Sequence, residues 1–395
     1  MRLVYVTSSL PFGPGEAFII PEIQQLQKQG HTVKVIPLYP RGQLIHEAAK
    51  GLIDSAAIQP PISFEVLSAA GKEFLRAPWK ALQALRLLIT FCPRHLLKNL
   101  SIYPKGLWLA GIARRWEAEH IHAHWAATTA SMAMVASETS GIPWSFTAHR
   151  WDIVEGNLLA RKSAHAKFAR FISRSGLEMA LAKGVVKEKT RVLYLGVQLR
   201  QSGSRAELDH STSRPFRLLC PASLLPVKGH KYLIQAISLL PEGVELWLAG
   251  DGKLRAEIET QVRELGLSEQ VRLLGQLSHE ALTRLYAENQ VDAVVLPSID
   301  LGGGLHEGIP VSLIEAMSFG IPVISTRTGG IPELLEGGAG LLVPPRDPKA
   351  LADAIQKLME NPQLHQAIGV AGRTRVQEEF ASEHVATRLE ALFIE

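Results

Sequence analysis

Short apolar runs rich in Val, Ile and Leu alternate with longer stretches of helical spacing along most of the chain. Runs of this kind, bounded by Gly and Pro, read as strands buried on both faces, and their alternation with helices spells βαβ units and parallel sheets. In the first half, Leu3 to Val6 reads as a strand, the turn Pro11-Phe12-Gly13-Pro14-Gly15 follows, Glu16 to Gln29 is helical, and Val33 to Leu38 is the next strand. Gly30 closes that helix, because glycine accepts the left-handed backbone a helix end asks for. In the second half, strands are expected at Arg217 to Cys220, Val244 to Ala249, Val271 to Leu274, Ala293 to Leu296, Pro322 to Ser325 and Gly340 to Val343, each followed by a helical segment. Between the halves, Gln198 to Pro215 is rich in Ser, Arg and Asp without periodicity, which marks a linker or surface loop. The expectation is an α/β chain of two doubly wound domains, 1–200 and 201–380, with 381–395 a C-terminal helix open to packing back on the first. Ligands in open α/β sheets bind beyond the carboxyl ends of the strands, so two such domains facing across a cleft would carry the function there.

Composition narrows the class. A chain of 395 residues with 46% hydrophobic and 20% charged residues can bury one or two sizeable cores, which excludes a disordered tail. Cys92 and Cys220 cannot staple a chain this long; they read as core thiols of a reducing compartment, so a cytoplasmic protein is expected. The apolar run after Met1 ends by Thr7, too short for a signal peptide, and no apolar stretch reaches the roughly 18 residues of a membrane span.

Net charge is +4, but residues 1–200 hold 25 Lys plus Arg against 13 Asp plus Glu, and residues 201–395 hold 17 against 25. The basic half is expected to meet something anionic. Basic residues are densest from Lys72 to Arg115, where Lys72, Arg76, Lys80, Arg86, Arg94, Lys98, Lys105, Arg114 and Arg115 stand with Glu73, and apolar residues from Phe74 to Leu100 recur at roughly helical spacing. Pro78 and Pro93 mark breaks or starts. One or two amphipathic helices follow, either solvated and packed on their own domain or docked on an anionic membrane such as the inner face of the plasma membrane. No nucleic-acid module is legible, so nucleic acid is not an expected partner.

The richest segment for chemistry runs Leu296-Pro297-Ser298, Leu301-Gly302-Gly303-Gly304, then Glu307-Gly308-Ile309-Pro310-Val311-Ser312-Leu313-Ile314-Glu315. Glu307 closes a glycine-rich loop at a strand's carboxyl end, and backbone N–H groups from about Val311 onward are placed to hold a diphosphate. Glu315, one turn into the helix, can accept from two ribose hydroxyls. The plain alternative is an acid favoured by the helix dipole and a surface glutamate.

With this pair stand Glu16-Ala17-Phe18-Ile19 after Gly13 and Gly15, Ile121-His122-Ala123-His124-Trp125-Ala126, Ser145-Phe146-Thr147-Ala148-His149 with Asp152, Pro226-Val227-Lys228-Gly229-His230, Leu248-Ala249-Gly250-Asp251-Gly252 and Gly329-Gly330-Ile331-Pro332-Glu333. In this order they resemble a retaining glycosyltransferase of family 4 with the two-Rossmann GT-B fold, over nearly the whole chain. The opening Gly-Glu-Ala-Phe-Ile and His-Ala-His-Trp-Ala segments are most similar to the branch that builds colanic acid and other exopolysaccharides.

The resemblance implies a nucleotide-diphosphate sugar as donor and a glycan or lipid-linked acceptor. It makes Glu307 the carboxylate beside the reacting carbon, Glu315 the ribose clamp, Lys228 the cation on the diphosphate, and His149 a catalytic histidine near the donor sugar, with Asp152 orienting its ring or touching the acceptor. Gly13, Gly15, Gly308, Ile309, Pro310, Val311 and Ser312 are its further substrate-binding positions. The chain has no Asp-x-Asp motif, and neither metal nor cofactor is expected. His120, His122 and His124 alternate along a strand, but no spacing completes a usual zinc site. Ser223 stands where the family commonly has an arginine on the diphosphate, a loss on the order of 2 kcal/mol unless a neighbour such as His230 or Lys231 replaces it. Lys253 stands where a proline is usual. Other readings on the same fold are a noncatalytic binding protein and a sugar epimerase or phosphorylase.

Overall fold

The computed structural model describes residues 1–13, 15–42, 49–199 and 214–395. The chain divides into two units, Met1–Gly196 with Ser382–Glu395, and Val197–Ala381. Most of the segment read as a linker, 200–213, lies outside the described residues.

The first unit runs β1 (Arg2–Thr7), α1 (Ile20–Lys28), β2 (Thr32–Pro37), α2 (Lys50–Ile53), α3 (Phe64–Arg76), α4 (Pro78–Leu87), α5 (Pro93–Ser101), α6 (Tyr103–Arg115), β3 (His120–His124), α7 (Thr128–Ser140), β4 (Trp144–Ala148), α8 (Arg150–Glu155), α9 (Leu159–His165), β5 (Phe168–Phe171), α10 (Arg174–Leu181) and β6 (Thr190–Val192). Its sheet is parallel, in the order β2-β1-β3-β4-β5-β6. Successive β1 residues feed opposite faces: Val4 and Val6 join a core with Trp108, Ile121 and Val135, and Leu3 and Tyr5 one with Ile23, Leu26 and Phe168. The chain's last helix, Ser382–Ile394, adds Val385, Leu389 and Phe393 to that second core. The order reverses between β1 and β3, and the loops beyond these strands border the crevice where such a sheet binds ligands.

The second unit runs β7 (Phe216–Pro221), α11 (His230–Ile237), β8 (Val244–Ala249), α12 (Arg255–Glu264), β9 (Val271–Gly275), α13 (His279–Ala287), β10 (Ala293–Leu296), α14 (Val311–Ser318), β11 (Val323–Thr326), α15 (Ile331–Leu334), β12 (Leu341–Val343), α16 (Pro348–Glu360) and α17 (Pro362–Glu379). The parallel order is β12-β11-β10-β7-β8-β9. Counted within the unit this is 3-2-1-4-5-6, reversing between β7 and β10. β8 and β10 are buried along their whole length, as strands covered on both faces must be.

Four expectations need correction. Glu16 lies outside the first helix: a short 3-10 turn, Ala17–Ile19, precedes α1. The Phe74 to Leu100 pattern spans three helices, because Pro78 and Pro93 each sit at a first helical position, where a missing N–H leaves no orphan. Cys92 is exposed in the connection before α5, whereas Cys220 is buried in β7. Within the basic stretch, Lys105 is wholly buried, donating to the carbonyls of Pro37, Leu38 and Gln59, and Arg114 clamps Glu73 at 2.5 and 2.6 Å. No helix among the described residues is long and apolar enough to cross a membrane.

Candidate functional site

In the second unit the loops after β7 and β10 meet at the reversal of strand order. Ile299 N donates to the Val227 carbonyl at 2.8 Å. Gly229 takes φ +69° so close to this seam that a Cβ would lie 2.0 Å from the Pro297 carbonyl oxygen; only glycine fits. This packing sets Lys228 Nζ 2.6 Å from Glu307 Oε2, and Ser298 Oγ reaches the same oxygen at 3.5 Å. The two charged side chains keep 19% and 18% of their exposure, so the pair remains open to an incoming anion. Behind Glu307 stands Gly329, at φ +54°, where a Cβ would fall 1.8 Å from the Glu307 carbonyl oxygen. His306 Nδ1 donates to that carbonyl at 2.8 Å.

Gly308, Ile309 and Pro310 lead into α14, whose first internal bond is made by Leu313 N to the Pro310 carbonyl. The N–H groups of Val311 and Ser312 precede it and point where the helix dipole favours an anion. Glu315, the fifth residue of the helix, has His279 Nδ1 at 3.6 Å. A cavity of about 350 Å³ next to this loop is lined by Gly229, His230, Lys231, Ile299 and Arg346 among others. Glu307, the start of α14 and Glu315 thus follow one another along one loop and helix, and Lys228 reaches Glu307 from the loop after β7.

Ser223 is exposed at the end of β7. His230 cannot stand in for the arginine as a cation: it is buried, and burial with the nearby Lys228 charge lowers its pKa to about 4, so it is neutral at pH 7. Lys231 is exposed, with its ammonium 5.0 Å from the centre of the Tyr232 ring.

In the first unit, Gly13 is buried in the turn after β1 and Gly15 lines a cavity of about 330 Å³ with Ser8, Ser9, Glu16, Trp125, Thr129 and Asp152. Sequence reasoning gave Glu16 no role, yet its buried carboxylate accepts from the N–H groups of Ser8, Ser9 and Leu10 and from Trp125 Nε1, holding both loops in place. Asp152 Oδ2 accepts from the backbone N–H groups of His149 and Ala126, at 3.1 and 3.0 Å, and the Asp152 backbone N–H in turn meets the His149 side chain in a capping box, so the residue ties both loops and the ring together. Burial raises its pKa to about 6 against the bonds it accepts.

His149 caps α8, with Nε2 2.8 Å from His124 Nε2, and Phe18 and Trp125 flank its ring. His122 is partnered at both nitrogens, by Ser145 and Thr147 hydroxyls, and His120 shares the Ser145 hydroxyl. Donor atoms of Glu22, His122 and His124 lie within 4.8 Å of one another, but Arg170 NH1 already holds Glu22 at 2.5 Å, a charge that disfavours a cation there. Arg170 was missed; its signal was a lone arginine inside the apolar run Phe168-Ala169-Arg170-Phe171, which demands a buried counter-ion.

These histidines give a pH prediction. Burial above all holds His120 and His149 down to about 3 and His230 to about 4, and pushes His122 and His124 well below their ordinary value. Unfolded imidazoles bind protons near pH 6.5, so stability is full above that value and falls as pH drops from 6.5 toward 3. Asp152 opposes the trend, since folding raises its affinity for a proton between about 6 and 3.8. Denaturant midpoints are expected to be clearly lower at pH 5 than at pH 7; equal midpoints would contradict these assignments.

Comparison with known proteins agrees with this geometry. Residues 22–196 match the glycosyl transferase 4-like domain and residues 206–375 the glycosyl transferases group 1 family, most of the chain between them. The chain is 33% identical over 228 residues to the amylovoran biosynthesis glycosyltransferase AmsK of Erwinia amylovora, covering 57% of this chain and 55% of that one. It is 32% identical over 216 residues to the putative colanic acid biosynthesis glycosyltransferase WcaL of Escherichia coli, covering 53% and 52%. The chain thus spans about half the length of these relatives. The putative teichuronic acid biosynthesis glycosyltransferase TuaC of Bacillus subtilis is 26% identical over 90% of this chain and 89% of its own. Among solved structures, Anabaena HepE in complex with UDP superposes with a TM-score of 0.72 at 18% identity, over 99% of both chains, and shows the shared GT-B fold.

Proposed function

Because the chain belongs to the group 1, 4-like glycosyltransferases, we propose that it moves a sugar from a nucleotide-diphosphate sugar to a glycan or lipid-linked acceptor in building a cell-surface polysaccharide, with retained configuration and without a metal. The observation that carries this reading is the Lys228–Glu307 pair at 2.6 Å beside the start of α14, with Glu315 one turn on. The names of two relatives, which tie AmsK to amylovoran biosynthesis and WcaL to colanic acid biosynthesis, favour this substrate class. UDP in the Anabaena structure favours a nucleoside diphosphate.

The chemistry follows from the charges. The bond from the anomeric carbon to the diphosphate oxygen breaks with its electron pair on the diphosphate, where the Lys228 ammonium and the Val311 and Ser312 N–H groups stabilise it. Lys228 exchanges its contact with Glu307 for the phosphate, and the Glu307 carboxylate is left facing the positive charge that develops on the sugar. The acceptor oxygen bonds to the same face that the diphosphate leaves, and its proton passes to the departing diphosphate. The cavity bounded by Trp125, Ser8 and Ser9 suits the acceptor, since an indole and hydroxyls are what a sugar stacks on and bonds to.

A panel of nucleotide sugars screened by thermal shift identifies the donor, because ligand at about 100 times its dissociation constant adds roughly 2.7 kcal/mol. NMR of the product is then expected to show the donor's anomeric configuration, with turnover unchanged in EDTA. Inversion, or activity restored by magnesium after chelation, would refute the retaining, metal-free mechanism; an isomerised or phosphorylated sugar would move the protein to another reaction class.

A further inference from the structure

We propose that the outer surface formed by α3, α4 and α5 docks the first unit on a bilayer bearing anionic headgroups. These helices spend their small and apolar faces inward: Val66 and Ala70 of α3 pack against α6, and Ala81 and Ala84 of α4 against α7. What they turn outward is unusual for a soluble surface. Phe64, Leu75, Trp79, Phe91 and Leu97 are each at least 73% exposed, and Leu67, Leu82, Ile89 and Leu100 are exposed beside them. On α3 the exposed apolar positions Phe64, Leu67 and Leu75 recur on one stripe, and on α4 Trp79, Leu82 and Arg86 do the same.

Cations are interleaved with these side chains. Lys105 and Arg114 of the basic stretch are engaged inside the unit, and Lys98 is paired with Glu155 at 2.6 Å. Arg115 lies on α6, which leaves on the three helices themselves Lys72, Arg76, Lys80, Arg86 and Arg94, none of which has an acidic partner among the described residues. Of the acids on these three helices, Glu73 is buried against Arg114 and only Glu65 is exposed. The choice of occupant rests on this mixture. The core of a protein interface is depleted of charged residues, lysine among them, although arginine is enriched at interfaces. Here lysines and arginines stand between protruding Trp, Phe and Leu, as on helices that lie in a membrane interface with their apolar side chains among the acyl chains and their cations at the headgroups. Against five such cations Glu65 is the one exposed acid on these helices, so attraction to an anionic headgroup layer outweighs repulsion on this face.

The test uses the full chain and reads binding, not sugar transfer, so its failure would leave the proposed function standing. Cys92 is exposed next to Phe91 and Cys220 is buried, which allows an environment-sensitive fluorophore to be placed at Cys92 without mutation. Vesicles of phosphatidylcholine with one-third phosphatidylglycerol are expected to blue-shift the probe and sediment the protein, and vesicles of phosphatidylcholine alone to do neither. Raising salt from about 0.1 M to 1 M, where the screening length falls from about 10 to 3 Å, should cut partitioning more than tenfold. R76E/K80E/R86E is expected to lose more than tenfold in partitioning, whereas K28E/K187E/K357E, with the same change in net charge on exposed lysines elsewhere, should lose less than threefold. W79S/F91S should abolish sedimentation with anionic vesicles while circular dichroism and melting stay unchanged. Absence of binding to anionic vesicles at low salt, equal losses in the two charge triples, or an effect of W79S/F91S on self-association in place of vesicle binding would each overturn the proposal.

Discussion

Glu307→Ala is expected to lower turnover by on the order of 10³-fold while nucleotide-diphosphate binding changes less than threefold, because this carboxylate acts on the sugar and only as charge develops. Glu315→Ala is expected to do the reverse. A carboxylate accepting from two ribose hydroxyls contributes about 2 to 3 kcal/mol, so its removal raises the dissociation constant of the nucleotide diphosphate roughly 30- to 100-fold and affects turnover mainly through binding. Folding does not confound the comparison. Lys228 is partly open to water when Glu307 is removed, and His279, the neighbour of Glu315, is well exposed. Titration calorimetry with the nucleotide diphosphate alone, beside turnover at saturating donor, separates the two. Parallel losses in both measurements for both variants would sink the assignment of roles.

The legible part of this protein was whatever depends on local pattern. Parallel strands buried on both faces declare themselves as apolar β-branched runs, and β8 and β10 begin and end at the residues read from sequence. The donor-type loop was legible for the same reason: Glu307, Gly308 and Glu315 lie within one continuous stretch that the backbone alone brings together. What stayed hidden depends on contacts far apart in the chain. The ion pair of Lys228 with Glu307 bridges 79 positions. Glu16, whose neighbours suggested a helix start, instead folds back on three N–H groups and the Trp125 indole, because a buried carboxylate seeks every donor in reach. Lys105 shows the limit of reading charge from sequence, since a cation in a basic run looked solvated and is one of the most buried side chains in the unit. The helix Ser382–Ile394 was read from sequence as open to packing back on the first domain; which residues it meets there, from Leu3 and Tyr5 to Phe168 and Leu193, no local pattern announces.

Glu22→Ala is expected to destabilise the first unit by about 3 to 5 kcal/mol, the largest stability effect of any substitution considered, read as a lower denaturant midpoint for that unit. Arg170 is wholly buried in β5, and its guanidinium cannot shed its proton. Nε and NH2 donate to the carbonyls of Leu193 and Tyr194, and NH1 donates to Glu22 Oε2 at 2.5 Å, the one full negative charge it meets. Alanine removes that charge and also strips the Tyr5 hydroxyl of the Oε1 acceptor it holds at 2.9 Å. Removing both ions is a different matter: Glu22→Leu with Arg170→Met should recover most of the loss, because an apolar pair of similar volume carries no desolvation penalty. By contrast, Asp353→Ala breaks an exposed contact to Lys349 at 3.5 Å and should shift stability by less than about 0.5 kcal/mol. The double variant also tests the acid sensitivity derived from the histidines. Arg170 adds to burial in holding His122, His124 and His149 below their ordinary value. Without it, the folded state takes up protons at higher pH and stability should fall less steeply between pH 6.5 and 3. A single variant as stable as the parent, or a double variant no better than the single, would show that the Glu22–Arg170 pair does not organise this core.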